Sequence, residues 1–150
     1  MIKISVRDIT SNGLDIDQSI PKEGIGLSSE EVDIRSLLNV KAHIEKVDNF
    51  VIANTHIKAD FGYLCARCLE ELSSTEERSY KFDFELDPSM EYIDLGEEIR
   101  QEMILANPAK VLCSKDCKGI CPQCGTNLNL EKCKCKSTGE SHASTKKTTF

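Results

Sequence analysis

The run VIANTHIKADFGY, from Val51 to Tyr63, decides the fold. Its apolar residues fall on every second position, and polar residues such as Asn54, His56 and Lys58 lie between them. A period of two over this length predicts a β-strand that has one face on a core and the other in water. The protein is therefore expected to be built on a sheet with one wet face.

Three further runs alternate in the same way, at residues 2–7, 38–45 and 80–86. The pair Asp48-Asn49 separates the second of these runs from Val51 and is typical of a hairpin turn, so the two strands it joins are predicted to be antiparallel. Four predicted strands suffice for an antiparallel β-meander.

A single helix is predicted after the last strand. Asp94 is followed three residues later by Glu97, which is the pattern of a capping box, and Pro108 ends the segment. Apolar residues recur at four-residue spacing, at Leu95, Ile99 and Met103. These features predict an α+β fold in which one main helix covers the apolar face of the sheet.

The remaining segments complete the predicted organisation. Residues 13–33 are rich in Gly, Ser and acidic residues and are interpreted as a loop with one short helix starting near Ser28. Residues 1–112 form a strand-rich body that includes the first Cys pair, residues 113–136 a Cys-rich zinc-binding segment packed on it, and residues 137–150 a polar tail predicted to be disordered.

Composition and charge narrow the class of protein. The chain has 150 residues and a net charge of −6. Residues 1–106 carry −11, whereas residues 107–150 carry +5, so only the second part is suited to nucleic acid. No secretory signal or run of eighteen apolar residues is present, which predicts a cytoplasmic protein without a membrane partner. Thiols stay reduced in that compartment, and closely spaced cysteines there indicate metal binding.

All eight cysteines fall into close pairs. The pairs are Cys65 with Cys68, Cys113 with Cys117, Cys121 with Cys124, and Cys133 with Cys135. Ordering the segment 113–135 costs about 1 to 2 kcal/mol per residue, while its four apolar side chains return about 1.5 to 3 kcal/mol each. Bound metal is worth on the order of 10 to 16 kcal/mol per zinc site. Two ions, each held by four thiolates, are therefore predicted, with zinc favoured over an iron–sulfur cluster.

The assignment of the pairs to ions follows from chain length. Only eight residues separate Cys124 from Cys133, so the last four cysteines can form a local site, which leaves the first four for the other. Site 1 is predicted as Cys65, Cys68, Cys113 and Cys117, and site 2 as Cys121, Cys124, Cys133 and Cys135. A crossed arrangement that joins CARC to CPQC remains an alternative.

No catalytic constellation is visible, so the chain is predicted not to be an enzyme and to have no small-molecule substrate. His43 and His56 lie on the polar side of predicted strands, and His142 lies in the tail. Neither a Walker-type loop nor a GxGxxG loop is present. Two alternatives are retained: a thiol and zinc redox-responsive protein, and a nuclease acting on precursor ribosomal RNA.

The order of the motifs resembles a known family. CARCL at Cys65–Leu69, the helix IDLGEEIRQEMILANP and then CSKDCKGICPQCGTNLN at Cys113–Asn129 are similar to the bacterial YceD-like family. This is the large ribosomal RNA subunit accumulation protein family, also called domain of unknown function 177. The resemblance extends over residues 30–136. Some relatives lack the CPxCG segment, which implies that site 1 belongs to the common body and site 2 is an addition.

The resemblance implies a cytoplasmic, non-enzymatic factor that supports accumulation of 23S ribosomal RNA. Its implied partners are large-subunit ribosomal RNA or its precursor, ribosomal proteins or assembly proteins. Lysines cluster around the Cys segment, at Lys110, Lys115, Lys118, Lys132, Lys134 and Lys136. Lys115, Lys118, Lys132 and Lys134 are the predicted RNA contacts. The alternative is that these lysines only offset the charge of the thiolates.

Overall fold

A computed structural model describes residues 2–135 of the chain. The elements are β1 Lys3–Ser5, a 3-10 turn Val6–Asp8, β2 Leu14–Ile20, a 3-10 turn Lys22–Ile25, β3 Leu38–Val47, β4 Phe50–Leu64, β5 Glu71–Glu85, β6 Tyr92–Asp94 and α1 Leu95–Leu105. The predicted disorder of residues 137–150 lies outside the described residues. The α+β class is confirmed.

The main sheet is a four-stranded antiparallel meander in the order β2-β3-β4-β5. Val47 pairs with Phe50 across a two-residue turn, and Asp48 adopts a positive φ of 53° in it. A hairpin of two residues requires such left-handed backbone, which Asp tolerates better than most residues. The predicted hairpin is therefore confirmed.

The alternation along β4 translates directly into burial. The residues of one parity are buried or half-buried: Val51, Ala53, Thr55, Ile57, Ala59, Phe61 and Tyr63. On the opposite face, Lys58 pairs with Glu77 of β5 at 2.9 Å. The sheet thus has one face on the core and one in water, as the period of two predicts.

The first predicted strand does not join the meander, which corrects the sequence interpretation. β1 pairs instead with β6, with Ile4 opposite Ile93. The edge position of the meander, beside β3, is occupied by β2, which lies within the segment interpreted as a loop. β2 is an edge strand in which Leu14, Ile16 and Ile20 are half-buried against the core and the residues between them are exposed. The Gly, Ser and acidic residues of the surrounding segment obscure this short alternation.

The predicted helix near Ser28 is a single turn. The Ser28 hydroxyl accepts a hydrogen bond from the Glu31 backbone N–H at 3.3 Å, and the Glu31 carboxylate accepts one from the Ser28 N–H at 3.0 Å. This is a complete capping box. The turn does not continue into a helix because the next residues bind the sheet: Gly62 donates to the Asp33 carbonyl at 2.8 Å, and Ile34 bridges Phe61.

The helix α1 begins where the sequence predicts. The Asp94 carboxylate accepts a hydrogen bond from the Glu97 backbone N–H at 3.1 Å. Leu95, Ile99 and Met103 are fully buried and belong to the same core cluster as the buried face of the sheet. The predicted covering helix is confirmed. No helix within residues 2–135 is long and apolar enough to cross a membrane.

Candidate metal centres

The CARCL segment folds into a tight knuckle at the end of β4. Leu69 donates its backbone N–H to the Cys65 carbonyl at 3.0 Å and has a φ of 60°. This turn directs the backbone N–H of Cys68 at the Cys65 sulfur. That hydrogen bond stabilises the thiolate and lowers the pKa of Cys65 to about 6.

The CPQCG segment has the same local structure. Gly125 donates its N–H to the Cys121 carbonyl at 2.9 Å with a φ of 71°. The N–H of Cys124 points at the Cys121 sulfur and holds the pKa of Cys121 below its ordinary value. Each CxxC pair therefore presents two sulfurs on one turn, together with backbone donors that favour their thiolate form.

Two groups of four sulfurs result. The first thiol group contains Cys65, Cys68, Cys113 and Cys117, and the second thiol group contains Cys121, Cys124, Cys133 and Cys135; within each, all four Sγ atoms lie within 4.8 Å of one another. In the first, Cys65 and Cys117 are 3.7 Å apart and Cys68 and Cys113 are 3.6 Å apart. CARC therefore lies beside the segment 113–117 rather than beside CPQC.

The sulfur spacing in both groups fits a tetrahedral metal site. Four sulfurs placed about 2.3 Å from a central zinc ion lie about 3.8 Å from one another. In the second thiol group, Cys133 lies 3.6 Å from Cys124 and 3.2 Å from Cys121. All eight cysteines are free thiols, and these separations far exceed the roughly 2.05 Å of a disulfide.

Charge within the groups also favours a cation. The sulfur of Cys117 raises the pKa of Cys113 to about 12, and the sulfur of Cys124 raises the pKa of Cys135 to about 12. The last thiols of a group to ionise thus do so against the charge of those already ionised. A divalent cation removes this cost, so four thiolates become favourable once it is bound.

The two groups differ in access to water. Three thiols of the first group are buried, and they pack with Leu72, Leu112 and Ile120 in a small cluster of their own. In the second group, Cys121 is buried but Cys124 is exposed. The first group thus joins the sheet to the segment after α1, while the second lies at the surface.

Three residues that support the first thiol group were not identified from the sequence. Arg67 donates to the Cys117 carbonyl at 3.1 Å, and Asn129 donates to the Cys117 sulfur at 3.3 Å. Gly119 has a φ of 79° and approaches the Arg67 backbone closely. A glycine two residues after a ligand cysteine is a usable signal for Gly119. Nothing local in the sequence marks Arg67 or Asn129, because their contacts span 50 and 12 residues.

The predicted RNA contacts lie around these groups. All four are exposed: Lys115, Lys118, Lys132 and Lys134. Lys115 precedes Cys117 and Lys118 follows it, while Lys132 and Lys134 flank Cys133. No ion pair among residues 2–135 involves any of the four lysines. Their ammonium groups are thus available to a partner.

The two histidines in the described part of the chain lie on the wet face of the sheet. His43 Nδ1 is 2.6 Å from the Asp15 carboxylate, and His56 Nδ1 is 2.9 Å from the Ser79 hydroxyl. Both are therefore engaged in cross-strand contacts and take no part in the thiol groups.

A cavity of about 510 Å³ lies between β5 and the segment that follows α1. Burial alone raises the pKa of Glu76, but hydrogen bonds with Tyr63 and Arg78 hold it below its ordinary value. Burial and the Glu76 carboxylate raise the pKa of Tyr63 to about 12. The pKa of Glu76 is thus lowered and that of Tyr63 raised, so both lie further from neutral pH than the ordinary values of these groups.

Comparison with known proteins gives one family and several relatives. The family model described as "Large ribosomal RNA subunit accumulation protein YceD" matches residues 73–144. The "Large ribosomal RNA subunit accumulation protein YCED homolog 1, chloroplastic" of Arabidopsis thaliana is 40% identical over 48 residues, which are 32% of this chain and 15% of that protein. No solved structure matches the chain.

Uncharacterized proteins of Mycobacterium tuberculosis and Mycobacterium bovis are each 31% identical over an alignment of 123 positions that covers 71% of this chain. The chain spans 59% of the length of these relatives. The region that the family model matches, residues 73–144, includes most of β5, all of α1 and six of the eight cysteines. Over residues 73–144, the chain is therefore similar to the YceD-like family.

Proposed function

We propose that the protein binds two zinc ions, one in each thiol group. The single observation that carries this proposal is the arrangement of eight free thiols in two groups with the spacing of a tetrahedron. The site residues are those predicted from the sequence: Cys65, Cys68, Cys113 and Cys117 for one ion, and Cys121, Cys124, Cys133 and Cys135 for the other. Four thiolates leave no open coordination position, so the ions serve structure rather than catalysis.

Metal analysis of protein purified without oxygen tests this part. The expected result is two zinc ions per chain, reduced to one when Cys65 and Cys68 are replaced by Ser, and likewise when Cys121 and Cys124 are replaced. Protein that holds no metal would overturn the proposal. Iron in place of zinc would support the assignment of the ligands but reject zinc as the bound ion.

We further propose that the protein is a cytoplasmic factor that supports accumulation of 23S ribosomal RNA, and so assembly of the large ribosomal subunit or processing of its RNA. The match to the YceD family model supports this role. Its partners would be large-subunit RNA or its precursor, and ribosomal or assembly proteins. Depletion of the protein should lower 23S RNA relative to 16S RNA, and an unchanged ratio would reject the role.

The basic segment is the proposed contact with RNA. Residues 107–150 carry a formal charge of +5, whereas residues 1–106 carry −11, and phosphate backbones bind clustered Lys and Arg. The exposed side chains of Lys115, Lys118, Lys132 and Lys134 would contact phosphates, while the acidic body remains available to a protein partner.

Binding of large-subunit RNA over a range of salt concentrations tests the contact. Replacing the four lysines with Gln should lower affinity and reduce the slope of log K against log salt by about 0.7 for each lost single-strand contact. The matched control replaces four lysines of the body, Lys22, Lys41, Lys46 and Lys81, and changes the net charge equally. Equal effects of the two variants would show that only net charge matters and would reject the site.

We propose that the protein is not an enzyme. The closed thiol groups offer no position for a substrate or a metal-bound water. In the cavity, the lowered pKa of Glu76 and the raised pKa of Tyr63 leave no group poised to exchange protons near neutral pH. Cleavage of precursor 23S RNA by purified protein would overturn this and favour the nuclease.

The exposure of Cys124 supports a second candidate, a redox-responsive zinc site. Oxidation of an accessible ligand thiol would release the ion of the second thiol group. Mild peroxide should then release one zinc ion per chain, restored by reduction. Retention of both ions under the same treatment would remove this candidate.

A further inference from the structure

The segment Cys117–Gly119 is held against the first knuckle on one side. Arg67 Nη1 donates to the Cys117 carbonyl at 3.1 Å. A methyl group added at Gly119 would lie 3.3 Å from the Arg67 carbonyl oxygen. The segment thus lies in close contact with the backbone of the CARC turn.

The other side of the same segment is held by the loop between Cys124 and Cys133. The Lys118 backbone N–H donates to Asn129 Oδ1 at 2.8 Å, and the Leu128 N–H donates to the Gly119 carbonyl at 2.9 Å. Both ends of this loop are ligand cysteines of the second thiol group. The second group therefore closes a loop that packs on the first.

Asn129 also contacts a ligand of the first group. Its Nδ2 donates to the Cys117 sulfur at 3.3 Å and to Asn127 Oδ1 at 3.0 Å, and its own backbone N–H donates to the same Asn127 oxygen at 3.0 Å. Because Oδ1 accepts from the Lys118 N–H, a flipped amide would lose that bond and both Nδ2 bonds. The side chain is thus fixed with its donor toward the thiolate.

We propose that Asn129 couples the two metal sites, so that an ion in the second thiol group increases the affinity of the first. This inference rests on the zinc-binding part of the proposed function. An ion at the second group fixes both ends of the loop and aims Asn129 Nδ2 at the Cys117 sulfur, where the hydrogen bond stabilises the thiolate form that binds metal. By thermodynamic reciprocity, an ion at the first group raises the affinity of the second by the same factor.

The coupling factor is measured with the full chain and Zn²⁺ against a competing chelator. Replacing Cys121 and Cys124 with Ser empties the second group and should weaken the first by about 10- to 100-fold, the effect typical of losing a partner of a metal ligand. Asn129→Ala should weaken the first group to a similar extent. In the Asn129→Ala background, emptying the second group should then have little further effect, because the contact that transmits the coupling is already absent.

Leu130→Ala is the matched control, since Leu130 lies in the same loop and is 77% exposed. It should bind both ions as the parent does. Asn129→Asp keeps the acceptor for the Lys118 N–H but places a carboxylate against the thiolate, so it should lose at least as much affinity as Asn129→Ala.

The absorption spectrum of the Co²⁺-bound protein provides a further measurement, which would not change if Asn129 only supported the structure. A hydrogen bond to a thiolate lowers the energy of its donor electrons, so Asn129→Ala should shift the sulfur-to-cobalt charge-transfer band to lower energy. Equal affinity of the first group for Zn²⁺ in the parent, in Asn129→Ala and in the variant with an empty second group would overturn the coupling while leaving zinc binding intact. Failure of the parent to bind any metal would overturn both.

Discussion

Gly119 offers a sharp test of how the two thiol groups are built, because a second glycine provides its control. Gly119 and Gly125 both have left-handed backbone, with φ of 79° and 71°. A methyl group at Gly119 would lie 3.3 Å from the Arg67 carbonyl oxygen, whereas a methyl group at Gly125 would meet nothing within 4 Å. The two substitutions to Ala therefore share the backbone cost and differ only in the close approach.

The magnitudes follow from these two terms. Left-handed backbone costs an L-residue about 1 to 2 kcal/mol, and this is the whole expected loss for Gly125→Ala. Gly119→Ala adds the displacement of the CARC turn by a few tenths of an ångström, which lengthens the bond from Arg67 to the Cys117 carbonyl. Loss of a hydrogen bond from a charged donor adds about 1.5 to 3 kcal/mol. We expect Gly119→Ala to cost about 2.5 to 5 kcal/mol in total.

Release of zinc to excess chelator, followed in both variants, measures the outcome. For each variant, the release rate of the ion in the affected group is divided by the rate of the same group in the parent. This ratio should be at least 10-fold larger for Gly119→Ala at the first thiol group than for Gly125→Ala at the second. Variants in which one thiol group is removed by Cys→Ser substitution show which release rate comes from the remaining group. Equal acceleration in the two variants would refute the close packing of Gly119 on the Arg67 backbone.

Three further outcomes are expected. Thr55 is 3% exposed, and its hydroxyl has no hydrogen-bond partner among residues 2–135, so Thr55→Val should stabilise the protein by about 1 kcal/mol in denaturant unfolding. The hydrogen bond to Asp15 raises the pKa of His43 above 6.5. This bond therefore stabilises the protein below the pKa of His43 in the unfolded chain, and the stabilisation is lost as pH rises through the pKa of His43 in the folded protein. An NMR titration of Asp15→Asn should show a lower His43 pKa. Removal of metal by chelator should abolish hydrogen-exchange protection in residues 65–70 and 113–135 but spare the main core, which contains no cysteine; loss of protection throughout the sheet would contradict this.

The central part of the fold could be predicted because its residues carry strong local signals. β4 alternates over its length with one buried face, and α1 combines a capping carboxylate with apolar residues at helical spacing. Each signal concerns residues a few positions apart, where chain geometry alone fixes which side chains share a face. The boundaries of α1 followed from the same local terms.

The outer strands could not be predicted because their pairing depends on distant residues. β1 is three residues long and pairs with β6 about ninety residues later. Its apolar pattern is the same whether it joins the meander or this separate ladder. In β2 only Leu14, Ile16 and Ile20 face the core, and they are half-buried, so its local signal is weaker than that of β4.

The two knuckles show what determines the candidate site itself. CPQCG has a glycine at the position that requires left-handed backbone, and CARCL has Leu69 there with a φ of 60°. The backbone hydrogen bond that closes the turn is nonetheless the same in both, at 2.9 Å and 3.0 Å. Left-handed backbone costs leucine about 1 to 2 kcal/mol, which is small beside the roughly 10 to 16 kcal/mol of zinc binding. The spacing of the two cysteines therefore specifies the knuckle, and the glycine only lowers its cost, which is why CARCL could be grouped with the other Cys pairs although it lacks the glycine.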